Sequence, residues 1–124
     1  MSYPTWHTSP NNIARTSAII KTLASWYSDQ TDVVTGIAPL NEPAGYFGND
    51  VLNAVRQYWY DSYGNIRYPY GNSQQGAIIE VIHDAFQTLD YWNGFEANGY
   101  AGVMMGSYHL LTLQLSSTLH VSFF

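Results

Sequence analysis

The chain has 124 residues, of which 46% are hydrophobic and only 10% are charged, and its formal net charge is −5. This length fits one ordinary domain, and the apolar content is high enough for a packed core, which argues against an intrinsically disordered chain. The four basic residues are scattered along the sequence, so the composition argues against binding to nucleic acid or to an acidic membrane surface.

The first predicted elements are a helix and a buried strand. Ser9-Pro10 is typical of a helix start, with a capping hydroxyl followed by proline at the first helical position. Apolar residues then recur at helical spacing from Ile13 to Tyr27. The run from Asp32 to Leu40 is apolar and rich in β-branched residues, which predicts a strand buried on both faces. Pro39 fits this strand only near its carboxyl end, where ladder pairing lapses.

Further elements are predicted after Leu40, and they continue the alternation of helix and strand. In chain order they are a helix capped by Asn49 or Asp50 and running through Trp59, a loop from Gly64 to Ser73, a strand from Ala77 to Ile82, a short helical or loop segment from Ala85 to Trp92, and a strand from Tyr100 to Met105. Alternation of this kind predicts parallel βα units and therefore the α/β class.

Polar residues follow two of the predicted strands at the point where each strand ends. Asn41 and Glu42 follow the first strand, and His83 and Asp84 follow the second. Ligands of parallel sheets bind at the carboxyl ends of the strands, so these four residues are the candidate site. Glu42 could serve as a general acid and Asn41 could donate a hydrogen bond to a sugar hydroxyl. Asp84 could be a second reacting carboxylate or a structural acceptor for loop amides.

Other kinds of site find less support. The chain has no cysteine, and its histidines show no metal-ligand spacing, so we predict no metal site. No Gly-x-Ser-x-Gly motif indicates a serine nucleophile. The eleven Tyr, five Phe and four Trp residues are compatible with a carbohydrate-binding surface or with an aromatic core.

Two segments resemble the fungal exo-β-1,3-glucanases of glycoside hydrolase family 5. Thr31 to Pro43 is similar to the strand of that family that ends in Leu-Asn-Glu-Pro, and Val81 to Gln87 is similar to its Ile-His-Asp-Ala-Phe segment. Tyr91-Trp92 and the start at Pro4 to His7 also resemble members of the family. The resemblance extends from Pro4 to Met105.

The resemblance implies a fold, a reaction and roles for four residues. The chain would be part of a (β/α)₈ barrel that releases glucose from β-1,3-glucan with retention of configuration and without a cofactor. Glu42 would be the general acid/base, and Asn41 would bind the hydroxyl beside the anomeric carbon. His83 and Asp84 would bind substrate and shape the sugar-binding end of the pocket. The partner would be a β-glucan or a glucose oligosaccharide, and the protein would be secreted or located in the cell wall.

The chain departs from the family pattern in two ways. After Met105 the sequence no longer matches, so we predict a barrel segment at 1–105 and a divergent tail at 106–124. No Asp or Glu follows Glu96, so no residue is assigned as the nucleophile, and a barrel of this type usually needs about 250 residues. We therefore expect the isolated chain to be inactive. The alternative is a non-catalytic carbohydrate-binding or interaction fragment, and the sequence leaves the oligomeric state open.

Overall fold

A computed structural model of the chain describes residues 5–71, 74–95, 99–107 and 120–123. The α-helices are α1 (Pro10–Trp26) and α2 (Asn49–Arg67), and the strands are β1 (Gly36–Ile37), β2 (Ile79–His83), β3 (Val103–Ser107) and β4 (His120–Phe123). Short 3₁₀ turns span Trp6–Thr8, Gly45–Phe47 and Leu89–Trp92. Among the helices so described, none is both long and apolar enough to cross a membrane.

The sheet has the strand order β1-β2-β3-β4. The first three strands are parallel, and β4 is antiparallel to β3. His83 at the end of β2 pairs with Gly106 of β3, so the carboxyl ends of these strands share one edge of the sheet. The α/β class and the parallel strands are confirmed. Three consecutive parallel strands with two helices are compatible with a segment of a (β/α)₈ barrel.

One face of the sheet packs on the helices. The main core lies between α2, β2 and β3, where Trp59 and Trp92 are fully buried and Ile82 and Met105 face the helix. A second cluster joins α1 to the start of the sheet through Ala24, Ile37 and Ile78. These contacts fix both helices against the strands and leave the carboxyl edge to the loops.

Helix α1 begins as predicted. The Ser9 side chain accepts a hydrogen bond from the Asn12 N–H (3.4 Å), and Pro10 is the first helical residue. The predicted buried strand from Asp32 to Leu40 is wrong in length, since only Gly36 and Ile37 pair with β2. In the preceding residues the Val33 and Val34 N–H groups both donate to the Gln30 carbonyl oxygen and so form turns. Val33 is 77% exposed.

The second helix and third strand also differ from the prediction. Gly48, rather than Asn49 or Asp50, is the residue before α2. The helix continues to Arg67, through the start of the predicted loop, because Ile66 and Arg67 are buried against the sheet and outweigh the weak helix propensity of Gly64. Strand β3 starts later than predicted because Gly102 has a positive φ of 84°.

Strand β4, which sequence reasoning did not predict, lies within 106–124. Most of this predicted tail, including Tyr108 and His109, lies outside the described residues, as does Glu96.

Candidate active site

Glu42 lies in the loop that follows β1, at the carboxyl edge of the sheet. Pro39 and Pro43 are buried on either side of it, whereas Asn41 and Glu42 are exposed. Glu42 has a φ of 43°, in the left-handed region that residues other than glycine rarely adopt. The loop therefore holds its prolines in the protein and presents the amide and the carboxylate to solvent.

A cavity of about 200 Å³ lies beside Glu42. Its wall is mostly apolar and comes from the 3₁₀ turn before α1, the loop after β1 and the first turns of α2. The lining residues are Trp6, His7, Leu40, Asn41, Glu42, Pro43, Ala44, Val51 and Val55. An exposed carboxylic acid beside a concave surface is the arrangement that a general acid requires, since it must reach a bound substrate.

His83 and Asp84 form a tight turn at the end of β2. The next residues, Ala85 and Phe86, have φ values of 53° and 61°. The His83 Nδ1 atom accepts a hydrogen bond from the Ala85 N–H (2.9 Å), and Asp84 Oδ1 accepts one from the Phe86 N–H (2.9 Å). The His83 Nδ1 atom also lies 3.3 Å from Asp84 Oδ1, so the two side chains are in contact with each other. Both side chains thus hold a backbone conformation that costs free energy.

Asp84 is fully buried and joins three parts of the structure. Its Oδ2 accepts a hydrogen bond from the Ser107 hydroxyl of β3, and its carbonyl oxygen accepts one from the Trp92 indole (2.8 Å). Both carboxylate oxygens are therefore engaged within the protein. Of the two roles left open by the sequence, these contacts favour the structural acceptor over the second reacting carboxylate.

The loops after β1 and β2 are in direct contact. A Cβ atom added to Gly45 would lie 2.4 Å from the Ala85 carbonyl oxygen, so only glycine fits at this position. The Tyr46 and Phe86 rings also meet, with their centroids 5.5 Å apart, and Phe86 lies against the His83 ring at 5.1 Å. The contact couples the position of the Glu42 loop to the His83–Asp84 turn.

The structure groups the predicted site residues in two sets. Asn41 and Glu42 line the cavity together, whereas His83 and Asp84, which are 5% and 0% exposed, form the neighbouring turn and are not among its lining residues. No group of three or more His, Asp or Glu side chains that could hold a metal ion occurs in the described parts of the chain.

Sequence reasoning assigned no role to Trp6 or His7. Trp6 packs edge-on against Tyr58, with centroids 4.9 Å apart, and His7 Nε2 lies 3.5 Å from Asp50 Oδ2 at the start of α2. Burial raises the pKa of Tyr58 to about 12, so its hydroxyl is neutral at physiological pH. The signal that could have found both residues is their position just before Ser9, because helices of βα units begin at the carboxyl edge of the sheet.

Proteins of known function match most of the chain. A glucan 1,3-beta-glucosidase of Blumeria graminis is 45% identical over 95 residues, which are 77% of this chain and 20% of that protein. One of Candida oleophila is 38% identical over 104 residues, or 80% of this chain and 24% of that protein. The chain is a partial relative of the fungal glucan 1,3-beta-glucosidases. This confirms the resemblance that the sequence indicated.

The match covers only a small part of the length of each relative. The glucan 1,3-beta-glucosidase I/II of Saccharomyces cerevisiae is 32% identical over 103 residues, which are 80% of this chain and 22% of that protein. The chain therefore spans between a fifth and a quarter of the length of these relatives. No protein-family model matches the chain.

Proposed function

We propose that the chain carries the acid/base half of a retaining exo-β-1,3-glucanase site, with Glu42 as the general acid/base. The observation that supports this most directly is the exposed Glu42 carboxyl at the carboxyl edge of the parallel sheet, beside a cavity of about 200 Å³. The substrate is a β-glucan or a glucose oligosaccharide, in line with the names of the relatives. A protein acting on this polymer works outside the cell or in the cell wall.

The chemistry assigned to Glu42 has two steps. In its protonated form the carboxyl donates its proton to the glycosidic oxygen as the bond to the anomeric carbon breaks. As a carboxylate it then accepts a proton from the water that attacks the anomeric carbon of the glycosyl-enzyme intermediate. The nucleophile is a carboxylate about 5 Å from the acid in retaining enzymes. Asp84 does not suit this role because its two carboxylate oxygens are hydrogen-bonded within the protein.

The other predicted residues have supporting roles in this proposal. The exposed Asn41 side chain donates to the sugar hydroxyl beside the anomeric carbon. His83 and Asp84 act indirectly on the Glu42 loop. Their side chains fix the turn that contacts this loop at Gly45. We assign them a positioning role in shaping the pocket, and a direct contact between His83 and the sugar stays a prediction.

A segment exchange tests the role of Glu42. Residues 5–105 would replace the matching segment of the Blumeria graminis protein, and glucose release from laminarin would be compared for Glu42, Glu42→Gln and Glu42→Ala. We expect either variant to lose about 10²–10⁴-fold in rate, the usual contribution of a general acid/base. The Glu42→Ala chimera should retain activity on an aryl glucoside with a good leaving group and be accelerated by azide, which needs no base. Equal loss on both substrates without azide rescue would refute the assignment.

The isolated chain allows a second test. We expect no glucose release from laminarin by the purified chain, since no nucleophile is assigned in it, and robust release would overturn this part of the proposal. The alternative function is a non-catalytic carbohydrate-binding or interaction fragment, which the exposed aromatic side chains favour. Saturable binding of β-1,3-oligosaccharides, combined with an inactive segment exchange, would favour that alternative.

A further inference from the structure

Two large aromatic side chains are exposed at the edge of the sheet opposite Glu42. Trp26 is the last residue of α1 and is 70% exposed, and Tyr70 follows α2 and is 63% exposed. Helix α1 precedes β1 and α2 precedes β2, so both residues lie on the connections that enter the amino ends of parallel strands. This surface is therefore separate from the proposed catalytic edge.

The Tyr70 ring is held in place although it is uncovered. Its hydroxyl donates to the Ser25 carbonyl oxygen (3.1 Å) and lies 2.7 Å from the Ser28 hydroxyl. The Ser25 carbonyl carbon is bonded to the Trp26 nitrogen, so these contacts bring Tyr70 beside the last turn of α1. Because the hydroxyl is engaged by the protein, the part of Tyr70 that remains available to a ligand is the face of its ring.

The charges that follow Trp26 along the chain restrict the kind of ligand. Asp29 and Asp32 are exposed on the connection that leaves α1. Carboxylates repel polyanions such as nucleic acids and accept hydrogen bonds from hydroxyl groups. Flat aromatic faces, with exposed carboxylates on the connection that follows Trp26, suit a neutral ligand that has apolar C–H faces and many hydroxyl groups, which describes a sugar ring.

We propose that Trp26 and Tyr70 form an auxiliary binding surface for a neutral polysaccharide, which keeps the polymer close to the protein without taking part in its cleavage. That this surface binds sugar rings follows from the two exposed aromatic faces and from the carboxylates on the connection that leaves α1. That the polymer is a β-1,3-glucan rests on the proposed function.

The four Trp residues allow both sites to be observed in one experiment. The ¹⁵N-labelled chain would be titrated with laminarihexaose while the indole N–H resonances are followed, with Trp26→Phe assigning the Trp26 signal. Trp59 and Trp92 are fully buried and serve as internal references, and Trp6 lines the Glu42 cavity. We expect the Trp26 signal to shift saturably and the two reference signals to stay in place.

Matched variants identify the contribution of the rings. Tyr70→Ala should weaken the affinity read from the Trp26 signal about fivefold, which corresponds to one aromatic contact. Ile19→Ala removes an aliphatic side chain that is 52% exposed on the same helix and should leave this affinity unchanged. An unshifted Trp26 signal, or an affinity unaffected by Tyr70→Ala, would overturn the proposal. A Trp26 signal that depends on protein concentration, with a dimer in sedimentation, would also overturn it in favour of a contact between two copies.

The same titration separates the two proposals. A shift of Trp26 without a shift of Trp6 supports the auxiliary surface and counts against sugar binding at the Glu42 cavity. A shift of Trp6 alone supports the cavity and overturns the auxiliary surface.

Discussion

Gly45→Ala tests whether the contact between the two strand-end loops is essential to the fold. The added Cβ atom would lie 2.4 Å from the Ala85 carbonyl oxygen and 2.5 Å from Leu52 Cδ2. The leucine methyl group can rotate away, but the carbonyl belongs to the backbone of a turn that His83 and Asp84 hold in place. The loops must therefore separate, and overpacking of this kind costs about 1–3 kcal/mol.

Gly64→Ala is the matched control for this substitution. Gly64 is exposed within α2, and a Cβ atom added there would meet no atom within 4 Å. Alanine at this position should stabilise the helix by about 0.5–1 kcal/mol.

Urea unfolding followed by circular dichroism would compare the two variants with the parent chain. With a slope of about 1 kcal/mol per molar urea, Gly45→Ala should lower the midpoint by about 1–3 M while Gly64→Ala raises it by up to about 1 M. A Gly45→Ala midpoint at or above that of the parent chain would refute the contact between the loops.

Four further substitutions, at three positions, address contacts of buried or partly buried side chains. Ser107→Ala removes the hydroxyl that donates to the buried Asp84 carboxylate, and it should lower the free energy of unfolding by about 1–3 kcal/mol in the same urea assay. Arg56→Met removes a guanidinium that lies 4.7–5.4 Å from three ring centroids, and it should cost about 1 kcal/mol, whereas Arg56→Lys should cost less. Burial raises the pKa of Tyr58 from 10.0 to about 12 in the folded chain. Its contribution to the free energy of unfolding is therefore complete below pH 10 and is lost as the pH rises towards 12. Tyr58→Phe should remove this alkaline loss, which is on the order of 3 kcal/mol, measured as the difference in the free energy of unfolding between the two chains from pH 9 to pH 12.

Features with a local physical cause were predictable from the sequence. The start of α1 follows from the Ser9 hydroxyl and the fixed φ of Pro10, which act within one helical turn. The end of β2 at His83 follows from the change from apolar to polar residues, since His and Asp side chains that accept hydrogen bonds from nearby backbone N–H groups favour a turn over a continued strand. The strand before Glu42 ends at Ile37 rather than at Leu40, so Glu42 lies in the loop beyond β1 and not directly at the strand end. Its position on the carboxyl side of the sheet needs only the parallel arrangement of the strands.

Features that depend on distant contacts were not predictable. The apolar run from Asp32 to Leu40 reads as a strand, but only two of its residues find partners in β2. The length of α2 depends on Arg67, whose guanidinium donates to the Ile78 carbonyl oxygen (2.7 Å) and packs against Gly102. The role of Asp84 depends on Ser107, 23 residues later in the chain. Each of these outcomes is set by a partner that no local pattern identifies.

The backbone itself distinguishes the two halves of the candidate site. Among the described residues, three other than glycine have positive φ values: Glu42, Ala85 and Phe86. A left-handed conformation costs about 1 kcal/mol per residue. At Ala85 and Phe86 the cost is offset by the acceptors of His83 and Asp84, so the fold explains the strain.

Glu42 has no comparable compensation from its own side chain. It is exposed, and no hydrogen bond or ion pair connects its carboxylate to a neighbour among residues 5–71, 74–95, 99–107 and 120–123. The buried prolines that flank it fix the loop, but they would fix it equally well around a glycine, which adopts a positive φ without strain. A glutamate at this position therefore lowers stability, and its side chain makes no compensating hydrogen bond or ion pair with the described residues. Strain of this kind is typical of residues retained for function, and it makes Glu42 the position whose side chain the fold explains least and the proposed chemistry explains best.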